Sequence, residues 1–171
     1  MGHRTTPTAV YADRLDRARR AMERHGVDVL LLSVGSDLPY LTGYEAMPLE
    51  RLTMLVVPRD GDATMVIPRL EAPRVVEQPG VFSLRAWDET EDPVAIVREL
   101  SGAVETAAVG DTMWARFLVD LLPLLPGTSF RRSTLVMNDL RMRKDAAEIE
   151  ALAAAGAAAD RVAAQLQAGD I

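Results

Sequence analysis

Four acids crowd one short stretch, Asp88, Glu89, Glu91 and Asp92, and clustered carboxylates are the donors that hard divalent cations prefer. They precede a helix start, where capping and solvation account for them as well. Arg131, Arg132, Arg141, Arg143 and Lys144 form a late basic group, read as surface or interdomain ion pairing in preference to phosphate binding. Gly35-Ser36 and Gly110-Asp111 each follow an apolar run, the place where α/β proteins hold ligands, although turn chemistry explains both dipeptides. His25 closes a helical pattern and faces the helix dipole; His3 is the only other histidine. The chain has no cysteine, which excludes a disulfide scaffold, a thiol nucleophile and thiolate metal sites. It also lacks G-x-S-x-G, a phosphate loop, H-E-x-x-H and G-x-G-x-x-G. No two residues read as a nucleophile with its base.

The elements that would have to position these groups are easier to read. Tyr11, Leu15, Ala18 and Met22 share a face of a helix expected over Ala9–His25, with Asp13–Arg17 and Asp16–Arg20 as i,i+4 pairs. The five arginines in this stretch are interleaved with acids, so they read as a solvated face. Gly26 ends the helix. Val27–Ser33, interrupted only by Asp28, is an apolar run of strand length, suited to a strand covered on both faces. Ser36 reads as the N-cap of a short helix, Asp37–Thr42, stopped at Gly43. Thr53–Val57 and Ala63–Ile67 flank Arg59-Asp60-Gly61-Asp62, a hairpin signal. Pro73–Gln78 is expected as a short helix. In the next strand Phe82, Leu84 and Ala86 alternate with Ser83, Arg85 and Trp87. Asp92-Pro93 opens a helix that stops at Gly102. Thr106–Val109 is expected as a strand, Met113–Leu122 as a helix and Ser129–Ser133 as a last strand. Six strands with interspersed helices predict a mixed-sheet α/β domain.

The final stretch has a different character. Asp145 and Glu148 form a capping box, and the helix they open is expected to run from Ala146 to about Ala168. Nearly half of residues 146–171 are alanine. Ile149, Leu152, Gly156, Ala159, Ala163 and Leu166 repeat along one stripe, a surface that reads as made to be covered by a second domain or another chain. The whole chain has 171 residues, 49% hydrophobic, with a net charge of −6, a balance that argues against nucleic acid and anionic membranes as partners. Its apolar runs fall far short of the roughly 20 residues that cross a bilayer. The N-terminus has no signal-type apolar core, so the expected location is cytoplasmic.

Arg14-Leu15, Met22, Gly26-Val27-Asp28-Val29-Leu30-Leu31 and Ser36-Asp37-Leu38-Pro39-Tyr40-Leu41-Thr42-Gly43 resemble, in that order and spacing, the amino-terminal domain of the creatinase/prolidase group. Pro68-Arg69-Leu70-Glu71 resembles the group's proline-x-x-glutamate step. Leu140–Ile149 is similar to the junction leading into its catalytic domain. Asp37 departs from the group, which often has asparagine there.

The resemblance implies a three-layer ribonuclease H-like fold over residues 1–143. It implies that residues 144–171 begin a "pita-bread" catalytic domain lying beyond this sequence. This chain alone is then expected to be non-catalytic, with no catalytic or metal-binding residue of its own. In the peptidases of the group two Asp, one His and two Glu hold a pair of divalent ions (Mn, Co or Zn) in that other domain. The implied whole protein is an Xaa-Pro dipeptidase or aminopeptidase acting on short proline-containing peptides. The amino-terminal domain is implied to support homo-oligomers and to restrict substrate access to a partner's active site. The segment after Gly43 is the candidate for that role: Glu45 or Arg51 would meet a peptide terminus, while Tyr44, Met47 and Leu49 supply exposed-looking apolar surface, with Met47 and Leu49 packing on a partner. An ordinary loop ahead of a strand would read the same way. A stand-alone interaction module and a creatine amidinohydrolase-type enzyme are the alternatives.

Overall fold

Burial follows the helical spacing from the first element onward. In the computed structural model, which describes residues 6–169, Tyr11, Leu15, Ala18 and Met22 line the buried stripe of α1 (Thr8–His25). His3 and the outermost residues of the expected domains 1–143 and 144–171 lie outside the described residues. After Gly26 the chain enters β1 (Val29–Leu32), all four residues of which are buried. Asp28, the one charge in that apolar run, stitches the strand to its neighbour: its Oδ2 accepts hydrogen bonds from the Glu105 and Thr106 amides at 3.0 and 2.9 Å.

The remaining elements are α2 (Asp37–Thr42), β2 (Met54–Pro58), β3 (Ala63–Pro68), β4 (Phe82–Trp87), α3 (Pro93–Ser101), β5 (Thr106–Val109), α4 (Ala115–Leu121), β6 (Ser129–Arg132), α5 (Thr134–Arg141) and α6 (Ala146–Ala168). The six strands form one mixed sheet in the order β4-β3-β2-β1-β5-β6. β2 pairs antiparallel with β1 and β3, as a hairpin requires, and the other pairs are parallel. Successive side chains enter opposite layers, because the strand period is two. Leu30, Leu32, Leu55 and Val57 pack with the buried faces of α1, α2 and α5. Val29, Leu31, Met54 and Val56 pack with those of α3 and α4. The result is the expected three-layer α/β arrangement, and each fully buried Leu or Val contributes about 1.5–3 kcal/mol.

Four local expectations are corrected. Ser36 has helical backbone and makes no side-chain cap hydrogen bond, so its hydroxyl does not start α2. Pro73–Gln78 contains only a single 3₁₀ turn, Ala72–Arg74. The helix expected over Met113–Leu122 is confined to α4, with a 3₁₀ turn over Leu122–Leu124 where Pro123 removes a helical donor. Trp87, placed on the polar side of its strand, is buried in the α3/α4 layer, its indole N–H donating to the Leu52 carbonyl at 3.0 Å. α5 is an element not foreseen.

The chain divides into two units, one up to Leu140 and one from Arg141 onward. The second is α6 and its lead-in. Asp145 accepts from the Glu148 amide at 2.8 Å and Glu148 from the Asp145 amide at 2.9 Å, completing the capping box. No residue of α6 is buried.

Candidate functional site

The sheet order creates one position suited to a ligand. From β1 the chain passes through α2 to β2 on one side, whereas from β5 it passes through α4 to β6 on the other. The loops leaving the carboxyl ends of these parallel neighbours therefore diverge and leave a crevice between them. The two loops meet at its floor. The Gly110 amide donates to the Leu31 carbonyl at 2.8 Å, and the Thr112 hydroxyl donates to the Val34 carbonyl. Gly35 is required here: its φ is +122°, and a Cβ would fall 2.2 Å from Thr112 Oγ1. The crevice has a volume of about 550 Å³ and is lined by Ser36, Pro39, Glu45, Pro48, Thr112 and Trp114 among others.

One wall of that crevice is the segment after α2. Gly43 turns the chain with φ +75°, and Tyr11 Oη sits 2.5 Å from where a Cβ would be, so neither the backbone nor the space admits a side chain. The Tyr44 amide then donates to Thr42 Oγ1 at 3.1 Å. Tyr44 was expected at the surface and is instead 9% exposed, packed in the α1/α2/α5 layer. Its hydroxyl donates to Glu71 Oε2 at 3.3 Å, and Glu71 is itself 8% exposed. Burial first, then the charge and hydrogen bond of Glu71, push the Tyr44 phenol above its ordinary pKa of 10.0, while Arg74 pulls it down. Arg74 also reaches Met47, with Nη1 3.7 Å from the sulfur.

At its far end the segment is held again. Arg51 Nε donates to Glu89 Oε1 at 2.7 Å, and the Ser33 hydroxyl donates to the Thr53 carbonyl at 2.8 Å. The five candidate residues are thus distributed rather than gathered. Tyr44 anchors in the core, Glu45 lines the crevice and Met47 is half exposed. Leu49 is half-buried. Arg51 lines a second cleft, of about 310 Å³, with Glu89, Trp87 and residues of α3 and α4. Trp114, Thr112 and Ser36 were not singled out for this site, although the dipeptides Gly35-Ser36 and Gly110-Asp111 mark its two loops.

The acidic stretch is spent on structure. Asp88 takes both Arg69 Nε and Nη2, at 2.5 and 2.8 Å, and this pairing holds its carboxyl below the usual range. Glu91 pairs with Arg85 at 2.6 Å and is lowered likewise. Asp92 caps α3 through the Val94 and Ala95 amides. Of the basic group, Arg132 pairs with Asp111 at 2.5 Å. Among the described residues no three His, Cys, Asp or Glu side chains come together in a way that could hold a metal ion. No described helix is long and apolar enough to cross a membrane.

Residues 14–143 match the family described as the Creatinase/Prolidase N-terminal domain. Over 173 residues the chain is 40% identical to a protein named probable dipeptidase PepE in Mycobacterium bovis, covering 97% of this chain and 45% of that one. Among solved structures it is similar to dipeptidase PepE from Mycobacterium ulcerans, at 42% identity with a TM-score of 0.85 over 95% of this chain and 45% of the other. A dipeptidase from Pyrococcus horikoshii superposes with a TM-score of 0.81 at 29% identity, covering 91% and 44% of the two chains. The chain spans about half the length of this curated relative and of both of these solved chains.

Proposed function

The chain belongs to the Creatinase/Prolidase N-terminal domain family, and from that premise we propose that it is the amino-terminal domain of a metal-dependent Xaa-Pro dipeptidase. In this reading it joins copies of the protein into a homo-oligomer and narrows the substrate's way into an active site. The observation that carries the reading is the 40% identity along 97% of the chain with a probable dipeptidase. That relative and the two solved structures named above bear dipeptidase names, which favours the peptidase branch over the creatine amidinohydrolases.

Hydrolysis belongs to the portion of the relatives' length that this chain does not span. A divalent metal pair would supply a Lewis acid and an activated water there. The side chains described here do not fit such a pair, so no chemical step is assigned to them. Their work is positional. The segment Tyr44–Arg51 is fixed by Glu71 and Glu89 at its two ends, which leaves Glu45 and Met47 displayed on a rigid rim. A rim fixed before substrate arrives loses little entropy on closing around a dipeptide, and it excludes longer chains by position.

The test uses a polypeptide of the relatives' length that contains this chain, assayed on alanyl-proline with manganese present. Arg51→Ala is expected to raise KM about fivefold with kcat held within about twofold, the signature of lost uniform binding. Hydrolysis that is absent from the longer polypeptide, or a KM that does not move, would overturn the reading.

A further inference from the structure

The crevice between the β1 and β5 loops carries three groups with unused capacity. Glu45 lines it and has no hydrogen bond or ion pair among the described residues. Ser36 lines it too, and its hydroxyl makes no cap bond to α2. Trp114 is a third lining residue, 39% exposed and stacked on Phe117 with ring centroids 6.4 Å apart. Between them the walls are apolar, supplied by Val34, Pro39, Ala46 and Pro48. The nearby arginine, Arg132, has its charge engaged by Asp111 and is not part of the lining.

We propose that this crevice binds an organic ammonium ion with a small apolar body. A carboxylate supplies the opposite charge, a hydroxyl accepts an N–H, and an indole face attracts a cation through its quadrupole. Pro39 and Pro48 offer rigid apolar surface to the alkyl portion. An inorganic cation would find one carboxylate and no cage, and a neutral ligand would leave Glu45 unpaired. The volume of about 550 Å³ accommodates a small amine or the first residue of a peptide. The proposal goes beyond the dipeptidase reading, because it needs neither the catalytic portion nor turnover.

The chain's two tryptophans make the test direct, since Trp87 is buried and hydrogen-bonded while Trp114 borders the crevice. The 171-residue chain is titrated with n-butylammonium chloride, with n-butanol as the uncharged counterpart and sodium chloride to match ionic strength. Binding is read by tryptophan emission and by the amide resonances of Gly35, Ala46 and Thr112. Saturable binding of butylammonium but not butanol is expected, with Glu45→Gln weakening it about tenfold. In Trp114→Phe the emission change disappears and the amide shifts report a weakened complex.

Alanyl-alanine amide and its N-acetyl derivative identify the source. Once butylammonium has bound, binding of the unblocked peptide but not of its N-acetyl derivative points to a peptide terminus, and binding of neither peptide points to a free amine. An equal response to butanol, an unchanged affinity in Glu45→Gln, or no saturation with butylammonium up to about 10 mM would overturn the proposal. Any of these leaves the KM test of Arg51 untouched, so the two readings fail separately.

Discussion

α3 and α6 begin alike and end up in opposite circumstances. Both open on an aspartate whose side chain accepts amide hydrogen bonds, Asp92 and Asp145, and both stop at a glycine. α3 then buries Val94, Ile96, Val97 and Ser101 against the sheet, whereas α6, more than twice as long, buries nothing. One helix is held by its neighbours and the other by its own caps and alanines. Local signals are therefore enough to define a helix, but they do not decide whether it contributes to a core.

The sharpest way to break that comparison is to truncate a leucine in each unit. Leu31 is fully buried in the central strand, while Leu152 in α6 is 58% exposed. Leu31→Ala is expected to cost about 2–5 kcal/mol in urea unfolding followed by Trp87 emission in a Trp114→Phe background. Leu152→Ala should change the same transition by less than about 0.5 kcal/mol. Comparable losses in the two variants would mean that α6 is as deeply covered in solution as β1.

A second pair uses glycines. Gly43→Ala forces a side chain into left-handed backbone at a cost of about 1–2 kcal/mol, before the contact with Tyr11 is counted. Gly156 lies mid-helix in α6 with nothing within 4 Å of its ideal Cβ, so Gly156→Ala should stabilise that helix by about 1 kcal/mol. Opposite signs are expected, read as midpoint for the first and as ellipticity at elevated temperature for the second.

How far the chain could be read from residues alone follows the same division. Asp37–Thr42, Thr106–Val109 and the caps Asp92 and Asp145 were legible because their signals are contained within a few neighbouring positions. α5 was not, although Val136, Met137 and Leu140 have helical spacing, because Ser133, whose carbonyl accepts from the Met137 amide at the start of the helix, was read as the end of the last strand. Trp87 was placed on the correct face of β4, opposite Phe82, but on a face read as polar, because alternation says nothing of what covers the strand's end. Tyr44 was read outward because the Glu71 that draws it inward lies 27 positions away. The crevice was half legible: Glu45 and the glycine dipeptides were noted, but only the β1–β5 pairing brings Trp114 alongside them. Local chemistry is written locally; sites assembled by strand order are not.

The caps offer a smaller contrast. Asp92→Ala and Asp145→Ala each remove a side chain that satisfies helix-end amides, at about 1 kcal/mol. For Asp92 the loss should appear in the cooperative unfolding of the sheet, because α3 is part of its packing. For Asp145 it should appear as faster amide exchange over the first turns of α6, with the Trp87 transition in place. A shared response in both variants would show one cooperative unit where the contacts divide into two.

The finest test separates the units by pH. Tyr44 ionises less readily in the folded chain than in the unfolded one, since burial and Glu71 raise its pKa above 10.0. Below that pH both states hold the proton and its contribution is complete. As pH climbs past it the unfolded chain releases the proton first, so folding stability falls with pH until the folded phenol also ionises. Tyr44→Phe leaves Glu71 without its donor, an offset that is already present at pH 8. The informative quantity is the change in the gap between the two proteins. The wild type should lose stability relative to Tyr44→Phe as pH rises from 8 to about 11. α6 contains no tyrosine or lysine, so its amide-exchange pattern, corrected for intrinsic rates, should be indifferent to the same change. A gap that stays constant across this range would place the Tyr44 hydroxyl in water rather than against Glu71, and would release the loop from the anchor assigned to it.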